Sequence, residues 1–340
     1  MNDKNVKMDF QDDHSEVDDL RAQLGREMSK SDDWENAILK TQLEEMAKKI
    51  ANLEKQLQTG NANAHSQRIS KVLNKIDYKK IEADRKRGIE FSDDGTVLIK
   101  YPTTLTNETY NIPDGVMEIE NNAFSCVNHL SNVVIPSSVT EIGKKAFYSC
   151  SNLTSVVIPD DVMEIEEGTF QNCSSLTKVV IPSSVTKIGK EAFYSCSNLT
   201  NVVIPDSVTK IGYGAFQACS SLTSVVIPDG VRKIKQWTFE GCSKLTSVVI
   251  PNSVIIIEHQ AFLNCYSLTS VVIPDSVRDI GYGAFQACLS LTSVVIPNSV
   301  RKIKDTAFWT CSKLTSVVIP DGVLVEDEAF DNSCEVIYTE

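Results

Sequence analysis

The chain has 340 residues, 42% hydrophobic and 23% charged, a composition typical of a soluble protein with a core. Its formal net charge of −12 argues against nucleic acid or an anionic membrane as the main partner. No apolar run reaches the roughly 18 residues that a transmembrane helix needs, and no classical secretion signal is recognisable at the N-terminus. We therefore expect a cytoplasmic protein without membrane insertion, with a cell-surface protein exported by a non-classical route as the alternative.

Residues 1–88 are predicted to form an acidic tail followed by a helical, coiled-coil arm. They contain no proline and no cysteine, and the first twenty residues carry seven acidic and two basic side chains. Six apolar residues then follow the 4-3-4-3-4 spacing of a coiled-coil seam of about three heptads: Leu39, Leu43, Met46, Ile50, Leu53 and Leu57. Gly60 and Asn61 favour a helix stop, and a second helix is expected from about Ile69 to the basic cluster at 85–87.

The arm has more than one possible partner. Its two helices fit an antiparallel hairpin within one chain, and its seam also fits pairing with another chain, including a homo-oligomer. Because three heptads are marginally stable alone, pairing with another chain, either a second copy or a different partner, is the favoured interpretation. A solvated helical linker is the alternative.

Residues 89–112 are predicted to cap the array that follows. Ile89–Phe91 and Val97–Tyr101 flank a Ser-Asp-Asp-Gly segment, which is the pattern of a β-hairpin. At the other end, residues 323–340 are predicted to form a C-terminal cap in which Val336–Thr339 adds a last short strand.

Internal repetition dominates the rest of the chain. Ten of the eleven prolines recur every 23 residues, from Pro113 to Pro320, and each follows an isoleucine. Nine phenylalanines, from Phe124 onward, and eight cysteines, from Cys150 onward, recur with the same period. Three coincident series with one period indicate a repeat architecture built from one supersecondary unit.

The unit at residues 222–244 illustrates the expected coil. Its Ser-Val-Val-Ile segment is β-branched and predicts a strand that sends Val225 and Ile227 inward and Val226 outward. Pro228 ends the strand, and Thr238–Cys242 suggests a short helical or 3₁₀ turn on the far side. Stacked coils would share one continuous core.

The pattern L-x-x-V-x-I-P-x-x-V-x-x-I-x-x-x-A/T-F-x-x-C resembles the BspA-like leucine-rich repeat family over about residues 89–340. The resemblance and the strand pattern together predict a leucine-rich-repeat β-solenoid of about ten 23-residue coils with parallel strands, preceded by the α-helical coiled-coil arm. The resemblance implies binding or adhesion and implies no catalysis.

The cysteine series allows a disulfide framework, a metal ladder or a stack of buried thiols. No C-x-x-C spacing occurs, and histidine partners are lacking, which argues against zinc. Thiols stacked at the spacing of parallel strands, about 4.8 Å, lie farther apart than the Cβ atoms of a usual disulfide. Buried thiols are therefore the favoured interpretation, and we expect no metal, no cofactor and no enzyme activity.

Two exposed stripes are candidate partner-binding surfaces. The first is an outward row of valines beside threonine and serine, with Lys178 as its single charge; its candidate residues are Val157, Val180, Val203, Val226, Val249, Val272 and Val295. Contiguous exposed apolar residues often mark interaction sites, although valine also simply favours strands. The second stripe is basic and aromatic and includes Arg232, Trp237, Arg301 and Trp309, residue types favoured in interface hot spots; a solvated edge is its alternative.

The favoured function is a non-enzymatic interaction or scaffold protein. It would bind protein partners through the exposed strand face and would oligomerise or dock through the N-terminal helices. A cell-surface adhesin of the BspA-like type, or an internal component of a cytoskeletal or filament assembly, are the alternatives.

Overall fold

The computed structural model describes residues 76–339, and this part of the chain divides into two compact units. The first unit comprises residues 76–99 and 113–117, and the second comprises residues 100–112 and 118–339.

A short helix, α1 (Tyr78–Lys86), opens the first unit. The Asp77 side chain caps it by accepting a hydrogen bond of 2.9 Å from the Lys80 backbone N–H. Arg85 and Lys86 lie in its last turn, where positive charges interact favourably with the negative end of the helix dipole. The predicted end of the helix in the basic cluster is confirmed, whereas Ile76, which was expected within the helix, precedes it.

The predicted hairpin of the first unit is also present. Strands β1 (Glu90–Phe91) and β2 (Val97–Lys100) are hydrogen-bonded neighbours, and the Ser92 N–H donates to the Val97 carbonyl at 3.0 Å. Gly95 turns the chain with a φ of 75°, a conformation that costs glycine little. Ile89 is 1% exposed, so the hairpin begins in a core.

The second unit is a parallel β-solenoid. Its first strand row consists of β3 (Thr109–Asn111), β5 (Asn132–Val134), β7 (Ser155–Val157), β9 (Lys178–Val180), β12 (Ser224–Val226), β14 (Ser247–Val249), β16 (Ser270–Val272), β18 (Ser293–Val295), β20 (Ser316–Ile319) and β22 (Glu335–Tyr338). Between β9 and β12 the coil of Asn201 forms a single parallel bridge to Lys178 and no strand, contrary to expectation. Ten strands and this bridge mark about eleven turns rather than about ten.

A second strand row follows the proline turns. It consists of β4 (Glu118–Ile119), β6 (Glu141–Ile142), β8 (Glu164–Ile165), β10 (Lys187–Ile188), β11 (Lys210–Ile211), β13 (Lys233–Ile234), β15 (Ile256–Ile257), β17 (Asp279–Ile280), β19 (Lys302–Ile303) and β21 (Leu324–Val325). From β4 to β19 the second residue of each strand is a buried isoleucine, as Ile188 and Ile211 are in their parallel pair, whereas Ile256, the first residue of β15, is half-exposed.

The interior is built from the residues that recur in every coil. In residues 222–244 the inward side chains are at most 3% exposed: Leu222, Val225, Ile227, Val231, Ile234, Phe239 and Cys242. The phenylalanines stack from Phe124 to Phe330 with ring centroids 4.9–5.6 Å apart and planes within 11°. The predicted inward positions are therefore confirmed, and every coil completes the core of the next.

The far side of each coil is a series of single turns and no helical segment. Each turn is closed by an N–H that donates to the carbonyl three residues earlier, as in a 3₁₀ turn, so the predicted short helical or 3₁₀ turn is confirmed as a turn and not as a helix. The Phe239 and Gly241 N–H groups donate to the next coil, at 2.9 Å to Ala261 and 2.8 Å to Leu263, whereas Cys242 donates within its own coil, at 3.2 Å to Phe239. A helix needs consecutive bonds within one segment, and here every second N–H bonds to the neighbouring coil. The left-handed φ of 69° at Gly241 interrupts helical geometry as well.

The C-terminal end confirms the predicted last strand. β22 pairs in parallel with β20, in a register that sets Val318 opposite Ile337. One residue fewer separates the last two phenylalanines, Phe308 and Phe330, yet their rings still stack at 5.1 Å.

Candidate interaction surface

The outward side chains of the first strand row form a continuous apolar stripe, which we call the valine row. Its nine valines are 42–72% exposed: Val134, Val157, Val180, Val203, Val226, Val249, Val272, Val295 and Val318. Parallel pairing aligns neighbouring members in register, as in Val226 opposite Val249 and Val272 opposite Val295. A sheet exposes alternate side chains, so this stripe follows from the strand pattern itself.

Hydrogen bonds between consecutive coils fix the residues that directly precede the strands of the first row, beside the valine row. Threonine hydroxyls donate to the threonine carbonyl of the preceding coil: Thr223 to Thr200 at 3.2 Å, Thr246 to Thr223 at 3.0 Å and Thr269 to Thr246 at 3.3 Å. The last of these bonds spans β14 and β16, which are not joined in one sheet. The hydroxyl protons are therefore used within the solenoid, and the surface that remains is largely preorganised.

Acidic side chains border the valine row on the side of the proline turns. Exposed aspartates follow the Ile-Pro pair in several coils: Asp160, Asp206, Asp229, Asp275 and Asp321. A shallow groove of about 310 Å³ lies where this border meets the valine row; residues of three consecutive coils line it, among them Asp206, Val226, Pro228, Asp229 and Val249.

The basic stripe lies along the second strand row, beyond the proline turns. Arg232 and Arg301 are exposed, and a second groove of about 510 Å³ is lined by Arg232, Ile255 and Arg278. The Arg278 guanidinium donates to the backbone carbonyls of Asp275 at 3.1 Å and Ser299 at 3.3 Å, so it is held close to the turns.

Charge changes along this second row. In the first coils Glu118 stands opposite Glu141, and burial, followed by the carboxylates of Glu141 and Glu120, raises the pKa of Glu118. Farther on, Glu164 stands opposite Lys187, and the hydrogen bond from that ammonium group lowers the pKa of Glu164. In-register stacking therefore places like charges together at one point and opposite charges at another.

The two tryptophans lie in the turns that follow the second row. Trp237 is half-buried; its indole Nε1 donates to Gln260 Oε1 at 2.6 Å, and its ring meets Tyr213 at a centroid distance of 4.8 Å. Trp309 is also half-buried. The structure thus sets the aligned valines and Lys178 on one strand row and places the arginines and tryptophans elsewhere, so the two predicted stripes are separate surfaces.

Sequence reasoning missed two features of the surface. Ile337, 43% exposed, continues the valine row through its pairing with Val318, and the shortened C-terminal interval concealed this register. The aspartate border could have been predicted from the sequence, because aspartate directly follows the Ile-Pro pair in six of the ten units.

Most of the cysteine thiols are expected to be unreactive in the folded protein. Those from Cys150 to Cys311 are buried free thiols, and each donates a hydrogen bond to the carbonyl of a phenylalanine in the preceding coil, as Cys219 does to Phe193 at 3.2 Å. Burial raises the pKa of Cys150 and Cys219 to about 12, so these thiols stay protonated near neutral pH. Cys126, displaced by one position in the sequence, is exposed.

The predicted coiled-coil seam from Leu39 to Leu57 lies outside the described residues. Across residues 76–339, no helix combines the length and apolar character that crossing a bilayer requires.

Comparison with known proteins supports the repeat assignment. The profile of the BspA type leucine rich repeat region matches residues 101–223 and 209–337, in six copies. No curated protein matches the chain.

Three solved structures illustrate the likeness. A leucine rich repeat protein from T. pallidum is 30% identical with a TM-score of 0.47, covering 60% of this chain and 86% of that one. A leucine rich cell surface protein from Faecalibacterium prausnitzii is 30% identical with a TM-score of 0.43, covering 68% and 79%. A leucine-rich repeat protein from Eubacterium ventriosum is 18% identical with a TM-score of 0.44, covering 71% and 89%. With a profile match over most of its length and a solenoid of the corresponding repeats, the chain belongs to the BspA-type leucine-rich repeat family.

Proposed function

We propose that this protein is a non-enzymatic interaction protein that binds another protein through the valine row. The observation that carries the proposal is the alignment of nine exposed valines on consecutive coils, continued by Ile337. Contiguous exposed apolar residues of this kind are typical of protein-binding surfaces.

The energetics are sufficient for such a role. Burying one valine side chain contributes roughly 1.5 kcal/mol or more. Only part of this appears as affinity, because association loses translational, rotational and side-chain freedom. A handful of covered valines is nevertheless enough for a dissociation constant on the order of micromolar, which corresponds to about −8 kcal/mol. The hydrogen-bonded threonines reduce the ordering needed on binding.

The test is site-specific crosslinking. A photo-crosslinking amino acid at Ser224, beside the valine row, should capture a partner protein in cells, and the purified partner is then titrated against variants. Val226→Lys with Val249→Lys should weaken its binding by at least about tenfold, because two ammonium groups would have to be desolvated at the interface.

A matched control separates this effect from added charge. Met163 and Leu289 are also exposed apolar residues, 61% and 41% exposed, and lie outside the valine row. Met163→Lys with Leu289→Lys should leave binding unchanged. Equal loss in both double variants, or no loss in either, removes the valine row as the binding surface.

We propose further that the N-terminal arm drives self-association through its seam. The basis is the heptad spacing alone. Light scattering on the full chain should show an oligomer, and Leu43→Lys with Ile50→Lys should reduce its mass to that of the monomer. Gln42→Lys with Asn52→Lys, off the seam, should preserve the oligomer; a monomeric wild type contradicts the proposal.

The cytoplasm is the proposed compartment. The free thiols, including the exposed Cys126, suit a reducing environment. Labelling intact cells with a membrane-impermeant reagent should leave the protein unmodified. A protein found wholly in the labelled fraction would instead favour a surface adhesin.

A further inference from the structure

The groove between the valine row and the aspartate border differs from every other point of the solenoid in one respect. Aspartate follows the Ile-Pro pair in six units, but only Asp206 and Asp229 occupy this position in two consecutive coils. Both are exposed, and both line the groove of about 310 Å³.

Apolar residues line this groove beside the two aspartates and Asn252. Val226 and Val249 are 61% and 55% exposed, and the Ile-Pro pairs that follow them contribute to the same lining. A purely apolar partner side chain would cover the valines but would also draw the two carboxylates out of water without a counter-charge, which is unfavourable.

The two carboxylates are available for a partner. Within residues 76–339, neither Asp206 nor Asp229 forms an ion pair, although Arg232 follows three residues after Asp229. In the same part of the chain no three potential ligands are grouped to hold a metal ion, so a bound cation of that kind is not indicated.

We propose that this groove receives a lysine or arginine side chain of the partner protein. Its aliphatic stem would lie on Val226 and Val249, and its cationic head would lie between Asp206 and Asp229. Lysine and arginine combine an apolar stem with a terminal charge, which matches a lining that contains both exposed valines and two carboxylates. The proposal rests on the valine row as the binding surface and specifies which partner it accepts.

The wider charge distribution favours the same partner. The repeats carry most of the net charge of −12, so a cationic segment is attracted over a longer range than an acidic one. Complementary charge of this kind chiefly gives specificity and a faster encounter, while the covered apolar area contributes most of the affinity.

Two labelled peptides of equal length test the groove on the full chain by fluorescence anisotropy at low salt. One alternates valine with lysine, and the other alternates valine with glutamate. The wild type should bind the lysine peptide at least about tenfold more tightly. Asp206→Asn with Asp229→Asn should reduce this preference to about twofold, and asparagine is compatible with the fold because Asn252 occupies the same turn position.

The control changes net charge by the same amount elsewhere. Asp275→Asn with Asp321→Asn alters the same turn position in non-consecutive coils and should keep the preference. Equal loss in both double variants, or no preference in the wild type, overturns the groove. If Val226→Lys with Val249→Lys abolishes binding of the crosslinked partner while Asp206→Asn with Asp229→Asn leaves the peptide preference intact, the valine row stands and the groove alone fails.

Discussion

Val225 and Val226 are neighbours on β12 and belong to two different regions of the molecule. Val225 is 3% exposed and lies in the core, whereas Val226 is 61% exposed and stands in the valine row. The same residue type is therefore buried in the core at one position and exposed to solvent at the next, because successive residues of a strand face opposite sides.

Folding constrains the interior and the exterior position differently. An interior position is constrained by the coil before it and the coil after it, since each coil completes the core of its neighbour. An exterior position is free of that packing constraint. Strand propensity favours valine there, and the proposed binding role accounts for nine apolar side chains aligned in water.

The largest expected difference between interior and exterior residues is in the alkylation rate of the cysteine thiols. Alkylation of the native protein near pH 8 should modify Cys126 first and Cys334, which is half-buried, next. The interior thiols should react at least about a thousandfold more slowly, because burial raises the pKa of Cys150 and Cys219 to about 12 and reaction requires the thiolate. Mass spectrometry of timed samples measures the order, and early modification of Cys219 would contradict the buried stack.

A truncation in the interior should have the largest effect on stability. Phe216→Ala removes a fully buried ring between two stacked neighbours, Phe193 and Phe239. We expect the free energy of unfolding to fall by about 3–5 kcal/mol, from lost burial and the cavity left behind. Urea unfolding followed by circular dichroism measures it. Val226→Ala is the exterior control and should change stability by less than about 0.5 kcal/mol.

One substitution at adjacent positions tests the comparison most directly. Val225→Thr buries a hydroxyl group in an apolar environment and should destabilise the protein by about 1–3 kcal/mol. Val226→Thr exposes the same hydroxyl to water and should be within about 0.5 kcal/mol of the wild type. Thermal and urea unfolding of the two variants give the difference, and equal effects would show that the two sides of β12 are not distinguished as described.

The smallest effect concerns charge on the second strand row. The pKa of Glu118 is raised, so the folded protein holds this proton more tightly than the unfolded chain does, and stability declines as pH rises through the raised value. Glu118→Gln should therefore stabilise the protein at pH 7 by about 0.3 kcal/mol. The effect is small because solvent screens this partly exposed group. The gain should vanish in acid, below the usual glutamate pKa of about 4.3.

Glu164 supplies the opposite sign on the same row. Lys187 lowers its pKa, so its carboxylate stabilises the fold above its usual titration range and this contribution is lost as pH falls. Glu164→Gln should reduce stability at pH 7. Urea unfolding at several pH values compares the two variants, and effects of the same sign would contradict the assigned causes.

The fold could be predicted from the sequence because its units repeat. The Ile-Pro pairs, phenylalanines and cysteines each repeat the period eight or more times, so the inward positions of Phe239 and Cys242 followed from spacing alone. The local conformation of the turn at Trp237–Cys242 did not, because its N–H groups bond alternately to their own coil and to the next one. Spacing within one unit carries no information about that alternation.

The binding surface was predictable only in part. The valines were evident as the outward residues of each strand, but the continuation at Ile337 depends on pairing across a shortened interval. The arginines were expected after the proline turns with the tryptophans nearby, and the structure sets Arg232 beside the second strand row and Trp237 in the turn that follows it. The groove at Asp206 and Asp229 required the lateral neighbours of the valine row, which sequence order does not show.

The sequence by itself determined the period, the inward and outward alternation and the identity of the core, because strand geometry and burial act on residues close together in the chain. Only the tertiary structure decided which residues of different coils share an environment: Glu118 with Glu141, Glu164 with Lys187, and Val226 with Val249 in the groove that Asp206 and Asp229 also line. Register between coils is set by stacking of the whole unit, so neighbours 23 residues apart acquire a shared environment only once the coils pack.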